Sequence, residues 1–164
     1  MDEIDTKILA LLQEDASLKV AEIARLVNLS PTPCWRRIQK LEAEGVIRRR
    51  VTLLDARKLN AGVTVFVAIK TSQHNVQWLD RFARIVAAIP EVVEFYRMSG
   101  EVDYLLRVVV PDIAGYDAVY KKLIKDVELL DVSSSFAMEQ IKYTTALPLD
   151  FVERSGTSLA ADEE

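Results

Sequence analysis

SPTPCWRRIQKLEAEGVIRRR, residues 30–50, reads as a helix start, a basic helix, a stop and a basic extended run. Ser30 before Pro31 is an N-cap with proline at the first helical position. The helix this predicts runs to about Glu44, and Gly45 ends it. At 100° per residue, Cys34, Ile38 and Leu41 fall on one side and must face a core. Thr32, Arg36 and Gln39 share the opposite side, with Arg37 and Lys40 on its flanks. Arginine, lysine and glutamine beside a turn are the donors that phosphates and base edges accept. Residues near the N-terminus of a recognition helix reach base edges. Thr32 and Arg36 are therefore expected on bases, and Arg37, Lys40 and the Ser30 region on the backbone, with Gln39 on the same surface. Val46–Leu54 reads as a strand, a wing carrying Arg48, Arg49 and Arg50 toward phosphates. Side chains alternate along a strand, so at least one of the three should face away or pair with an acid.

Upstream, the pattern supplies the helices that such an element packs on. Ile4, Ile8, Leu11 and Leu12 recur at helical spacing, predicting a helix over residues 2–14. Asp2, Glu3 and Asp5 suit its positive N-terminal end. Val20, Ile23, Ala24 and Val27 mark a shorter second helix, and Asn28 is its left-handed terminator. Three short helices, the last two joined by a tight turn, make a winged helix-turn-helix over residues 1–54.

Charge agrees with that reading. The 164-residue chain has a net charge of −4. Residues 31–58, however, hold eight Lys or Arg against three Asp or Glu. A basic patch beside an acidic remainder is the footprint of a DNA-binding element attached to something else. Half the residues are hydrophobic, enough for a buried core. The acidic N-terminus is not a signal peptide, and no apolar run approaches the roughly 18 residues of a membrane span. The single cysteine excludes an intramolecular disulfide framework and belongs to the core face. Together these point to the cytoplasm, on the nucleoid.

Residues 55–61 are polar and read as a linker. From Gly62 the period changes. GVTVFVAIKT (residues 62–71) is apolar on both faces, as in a strand covered on both sides. Val76, Leu79, Phe82, Ala83 and Val86 mark a helix that Pro90 follows. Glu91–Ser99 and Asp103–Val110 read as a hairpin around Gly100. Ile113, Tyr116, Val119, Tyr120, Leu123, Ile124 and Val127 mark another helix, and Val132–Leu147 a last strand. Strand–helix–strand–strand–helix–strand is the ferredoxin-like βαββαβ order, over residues 62–149. The whole is an α+β chain. Residues 150–164 are polar and acidic and are expected to be a disordered tail.

Four segments together resemble one family: IDTKILALLQEDA (4–16), LSPTPCWRRIQKLEAEGVI (29–47), SGEVDYLLRV (99–108) and SSFAMEQIKYTTALPL (134–149). In that order they resemble the Lrp/AsnC, or feast/famine, transcriptional regulators over about residues 2–148. Within that family the chain looks closest to the cysteine-responsive detoxification regulators, with branched-chain keto-acid regulators also near. The resemblance implies double-stranded DNA as partner, a small amino acid as effector, and homodimers assembling into tetramers or octamers. It places the effector at the hairpin loop, Ser99, Gly100, Glu101, Asp103 and Tyr104. A second subunit would complete the site with Ala137, Met138, Glu139 and Thr144. Glu101-Val102 departs from the acidic-aromatic pair common in the family.

The chemistry of the loop is consistent with this. Gly100 adopts positive φ without strain and lets backbone amides approach a carboxylate. Glu101 or Asp103 would meet an ammonium group. An architectural DNA-binding protein with little effector response is the alternative reading. The sequence offers no nucleophile with a base, no phosphate loop and no metal cluster, and a lone His74 builds no metal site. No enzyme activity and no cofactor are expected. Trp35 and Trp78 read as packing residues.

Overall fold

The computed structural model describes residues 1–125 and 127–152; most of the expected tail lies outside them. Two compact units divide the chain. One is Met1–Thr52 together with the C-terminal segment from Lys142, and the other is Leu53–Ile141.

The first unit is built on three helices, α1 (Glu3–Glu14), α2 (Val20–Leu26) and α3 (Pro31–Ala43). Each end has a local cause. Asp2 caps α1 through a reciprocal pair with Asp5, in which the Asp5 N–H donates to Asp2 Oδ1 and the Asp2 N–H donates to Asp5 Oδ2. Asn28 takes φ 56° after α2, and the Leu29 N–H donates to the Ala24 carbonyl. Gly45 takes φ 73° after α3, and the Ile47 N–H reaches back to the Leu41 carbonyl. Both are left-handed helix stops. Ile8, Leu12, Ile23, Ala24, Val27, Cys34, Ile38 and Leu41 close a single buried core beneath the three helices.

Two expectations of strand fail. Residues 46–54 carry no strand, so no wing forms among the described residues. An extended segment becomes a strand only with a ladder partner, and no segment among the described residues supplies one. The last strand also stops early, at Phe136. The segment from Lys142 joins the first unit instead, where Gln13 mimics a backbone amide. Its Nε2 donates to the Leu147 carbonyl at 3.1 Å, and its Oε1 accepts the Leu147 N–H at 3.0 Å.

The second unit is a four-stranded antiparallel sheet with two helices. Its elements are β1 (Val63–Lys70), α4 (Val76–Ala87), β2 (Val92–Arg97), β3 (Tyr104–Val110), α5 (Ile113–Lys125) and β4 (Asp131–Phe136). The strand order is β2-β3-β1-β4, the ferredoxin-like arrangement. Val65, Val67 and Ile69 of β1 pair with Val108, Leu106 and Tyr104 of β3. These residues, with Phe82, Val86, Tyr116, Val119 and Leu123 from the helices, form the buried core.

Among the described residues nothing covers the opposite face of the sheet, contrary to the reading of β1 as buried on both sides. Phe66 is 40% exposed there. By register it lies between Arg107 on β3 and Ser135 on β4, with Ala68 and Leu105 a step along. Glu94 neutralises Arg107 on this face through two contacts, at 2.9 and 2.6 Å.

Candidate nucleic-acid interface and effector loop

The turn from α2 to α3 and the α3 N-terminus are set by backbone chemistry. Asn28 reverses the chain and Pro31 starts the next helix. Burial of Cys34, Ile38 and Leu41 fixes the rotation of α3, so Thr32, Arg36, Gln39 and Lys40 all lie exposed, as does the cap residue Ser30. Burial also pushes the Cys34 thiol pKa up, which keeps it an unreactive thiol.

The basic residues divide by what they already hold. Arg36, Arg48 and Arg49 are exposed and take no ion pair among the described residues. Lys40 lies 3.7 Å from Glu44 one turn on, an exposed and weak pair. Arg50 is the member of its run that pairs with an acid, donating to Glu42 Oε1 at 3.0 Å. The Gln39 amide donates to the other oxygen of the same Glu42 at 2.8 Å.

Arg37, expected on the DNA backbone, differs from the others in being held within the chain. Its Nη1 donates to Asp2 Oδ2 at 2.6 Å and Asp5 Oδ1 at 2.7 Å, and Asp5 is only 7% exposed. The Asp5 backbone amide, and then the Arg37 guanidinium, hold the Asp2 carboxyl below its ordinary pKa. Arg37 therefore clamps α3 to the N-terminus of α1. Sequence spacing cannot show this, because the partners are more than thirty residues away. A cleft of about 440 Å³ lined by Met1, Asp2, Asp5, Arg36, Arg37 and Lys40 lies beside the clamp.

In the second unit, Gly100 takes φ 108°, and a Cβ there would meet nothing within 4 Å. Backbone conformation alone is what calls for glycine at this position. Ser99 and Glu101 are exposed, and Glu101 accepts from Lys70 Nζ at 3.0 Å. Asp103 is anchored on three sides. Its Oδ2 accepts the Thr71 N–H at 2.8 Å, its N–H donates to the Ile69 carbonyl, and its carbonyl accepts the Met98 N–H. That leaves Oδ1, 3.9 Å from His74 Nδ1.

Tyr104 is a core residue more than an open ligand contact. It is 5% exposed, its ring lying against Trp78, Phe82 and Phe95. Beside it is a pocket of about 120 Å³ lined by His74, Asn75, Val76, Leu79, Arg97, Met98, Asp103 and Tyr104. His74, Asn75 and Arg97 were not singled out from sequence for this site. Their signal is only the register that sets Arg97 opposite Tyr104.

One chain does not gather the other expected effector residues here. The Ala137 N–H donates to the Thr64 carbonyl at the start of β1, whereas Asp103 is bonded to Ile69 near its end. Five residues of strand separate them, roughly 16 Å. Met138 and Glu139 are exposed beyond Ala137, and Thr144 belongs to the first unit, its hydroxyl accepting the Ala146 N–H. Among the described residues no group of three His, Cys, Asp or Glu side chains is placed to hold a metal ion. Nor, among those residues, is any helix long and apolar enough to cross a membrane.

Residues 1–42 match the AsnC-type helix-turn-helix domain, and residues 64–147 match the Lrp/AsnC ligand binding domain. The chain is 52% identical to the DNA-binding transcriptional activator DecR of Escherichia coli K12, covering 92% of this chain and 99% of that one. It is also 52% identical to the glutamate uptake regulatory protein of Zymomonas mobilis, over 91% of each. The crystal structure of an AsnC family transcriptional regulator from Agrobacterium tumefaciens is 66% identical, with a TM-score of 0.90 over 93% of this chain and 100% of that one. A transcriptional regulator from Neisseria meningitidis, solved as a complex with L-Met, is 35% identical. Its TM-score is 0.86, over 92% of this chain and 97% of that one.

Proposed function

We propose, from the premise that this chain belongs to the Lrp/AsnC family of DNA-binding transcriptional regulators, that it is a sequence-specific regulator whose grip on DNA answers to a small amino acid. The observation that carries the DNA half is the exposed row of donors on α3 beside a glycine-free left-handed turn. Thr32 and Arg36 read base edges, and Ser30, Gln39, Lys40, Arg48 and Arg49 hold the backbone. Arg50 joins them once Glu42 releases it. Arg37 is left out of this set because Asp2 and Asp5 hold it.

Arg36→Ala should weaken binding to a selected duplex by about 1–3 kcal/mol while leaving random DNA nearly unchanged, if the guanidinium reads a base. Equal losses on both duplexes, measured by anisotropy, would reassign it to phosphate.

The effector half rests on the 99–104 loop and its neighbours. Backbone amides around Gly100 and the Arg97 guanidinium suit a carboxylate, and the open oxygen of Asp103 suits an ammonium. Ala137, Met138, Glu139 and Thr144 enter from a second copy. The uncovered sheet face around Phe66 supports a homodimer, and dimers assemble to tetramers or octamers. A dimer sets two α3 helices about one turn of DNA apart. The reading places the protein in the cytoplasm, on the nucleoid. L-Met is the ligand of the Neisseria relative, and L-Cys follows from the subgroup resemblance.

A thermal-shift series with L-Met, L-Cys, L-Glu, L-Leu, L-Ile and L-Val under reductant tests the effector half. An effector at 100 times its Kd stabilises the fold by about 2.7 kcal/mol. Gly100→Val should lose that shift. A shift retained in full by the variant would remove the loop from the site, and no shift with any amino acid would favour an architectural role.

A further inference from the structure

Trp35 is the apolar reading of α3 that the fold reverses. Expected to pack, it is instead 51% exposed, and it belongs neither to the buried core under α3 nor to the hydrophobics packed against that core. It stands three residues after Thr32 and one turn before Gln39, so the three form a single row along the helix. Arg36 and Lys40 form the adjacent exposed row. A large indole half in water, set among hydrogen-bond donors, offers that surface an apolar face beside its polar ones.

That surface is the one assigned to the major groove, and the inference rests on that assignment. The groove offers one apolar feature on its base edges, the C5-methyl of thymine. Arginine and glutamine on either side are suited to the polar edges flanking such a methyl. We propose that Trp35 is a specificity-determining residue, and that its indole covers a thymine methyl in each half-site. Removing the methyl then exposes the indole edge and weakens binding, with no change in base pairing.

The test starts with a duplex recovered by selection from a random pool with the full chain. The duplex is resynthesised with deoxyuridine replacing each thymine in turn, which deletes only the methyl. Burial of one such carbon predicts about fourfold weaker binding per half-site at one thymine position. Trp35→Ala should bind the thymine and deoxyuridine duplexes equally. The chain has two tryptophans, so Trp78→Phe leaves emission from Trp35 alone, and saturation with the duplex should change it. Tolerance of deoxyuridine at every thymine would overturn the proposal, and this comparison needs no variant that might misfold. So would a thymine preference that survives Trp35→Ala, or Trp35 emission indifferent to DNA. A chain that selects no duplex would overturn the DNA reading itself, whereas selection without a methyl effect overturns only the role of Trp35.

Discussion

Replacing Phe82 with alanine should destabilise the ligand-binding unit by about 3–5 kcal/mol, the range for deleting a fully buried aromatic side chain. Phe82 has no exposed surface and is the hub of an aromatic cluster. Its ring lies 5.0 Å from Trp78 nearly stacked, 5.5 Å from Phe95 edge-on and 5.7 Å from Tyr104. Tyr104 directly follows Asp103, so the cavity opens beneath the loop assigned to the effector. The loss therefore removes ligand response as well as stability. The first unit has its own closed core and should keep its fold. Urea denaturation followed by Trp78 emission, in a Trp35→Phe background, gives the number. A loss below about 1 kcal/mol would contradict the packing described for this cluster.

The second large effect is expected at Asp5. Asp5→Ala removes the inner partner of Arg37 and the acceptor of the Asp2 N–H together. Deleting one side of a buried pair costs more than the pair contributes, because the remaining charge is stranded. Asp2 still holds Arg37 at 2.6 Å, and Arg37 keeps some solvent contact, so the cost falls below that of a wholly buried pair. About 2–3 kcal/mol is expected, all of it in the DNA-binding unit. A double-mutant cycle separates the clamp from the cap. In the Asp5→Ala background, Arg37→Ala should cost clearly less than in the native chain. Strictly additive losses would show that the two side chains do not act together.

These two sites mark where sequence was a good guide and where it was not. Helix ends were legible because their causes are local. Pro31, Asn28 and Gly45 each act within a turn of their own position and are found doing so, whereas Ser30 holds the cap position without a side-chain hydrogen bond. The strand order of the second unit followed from alternating elements that only a few topologies accommodate. Strand extent was not legible. Val46–Leu54 has strand composition but no partner among the described residues, and β4 ends at Phe136, where the start of β1 gives out. The outer face of β1 reads as buried from its composition, but what covers such a face need not belong to the same chain.

The candidate sites divide in the same way. Exposure of Thr32, Arg36, Gln39 and Lys40 followed from the helical period. The clamp on Arg37 did not, since its partners are remote in sequence and any arginine on that flank reads as a free cation. Gly100 was legible from residue type, whereas His74 and Arg97 beside Asp103 emerge only from tertiary packing.

Regulation of the proposed kind requires coupling between the ligand-binding unit and the DNA-binding unit. The direct measurement is the Kd of the full chain for a selected duplex, by fluorescence anisotropy at fixed salt, with and without each amino acid of the thermal-shift series. Coupling free energies of 1–3 kcal/mol, or about 5- to 150-fold in Kd, are typical of such linkage. A change of that size is expected with one amino acid and little with the rest. A tight and selective Kd that no amino acid moves would contradict it.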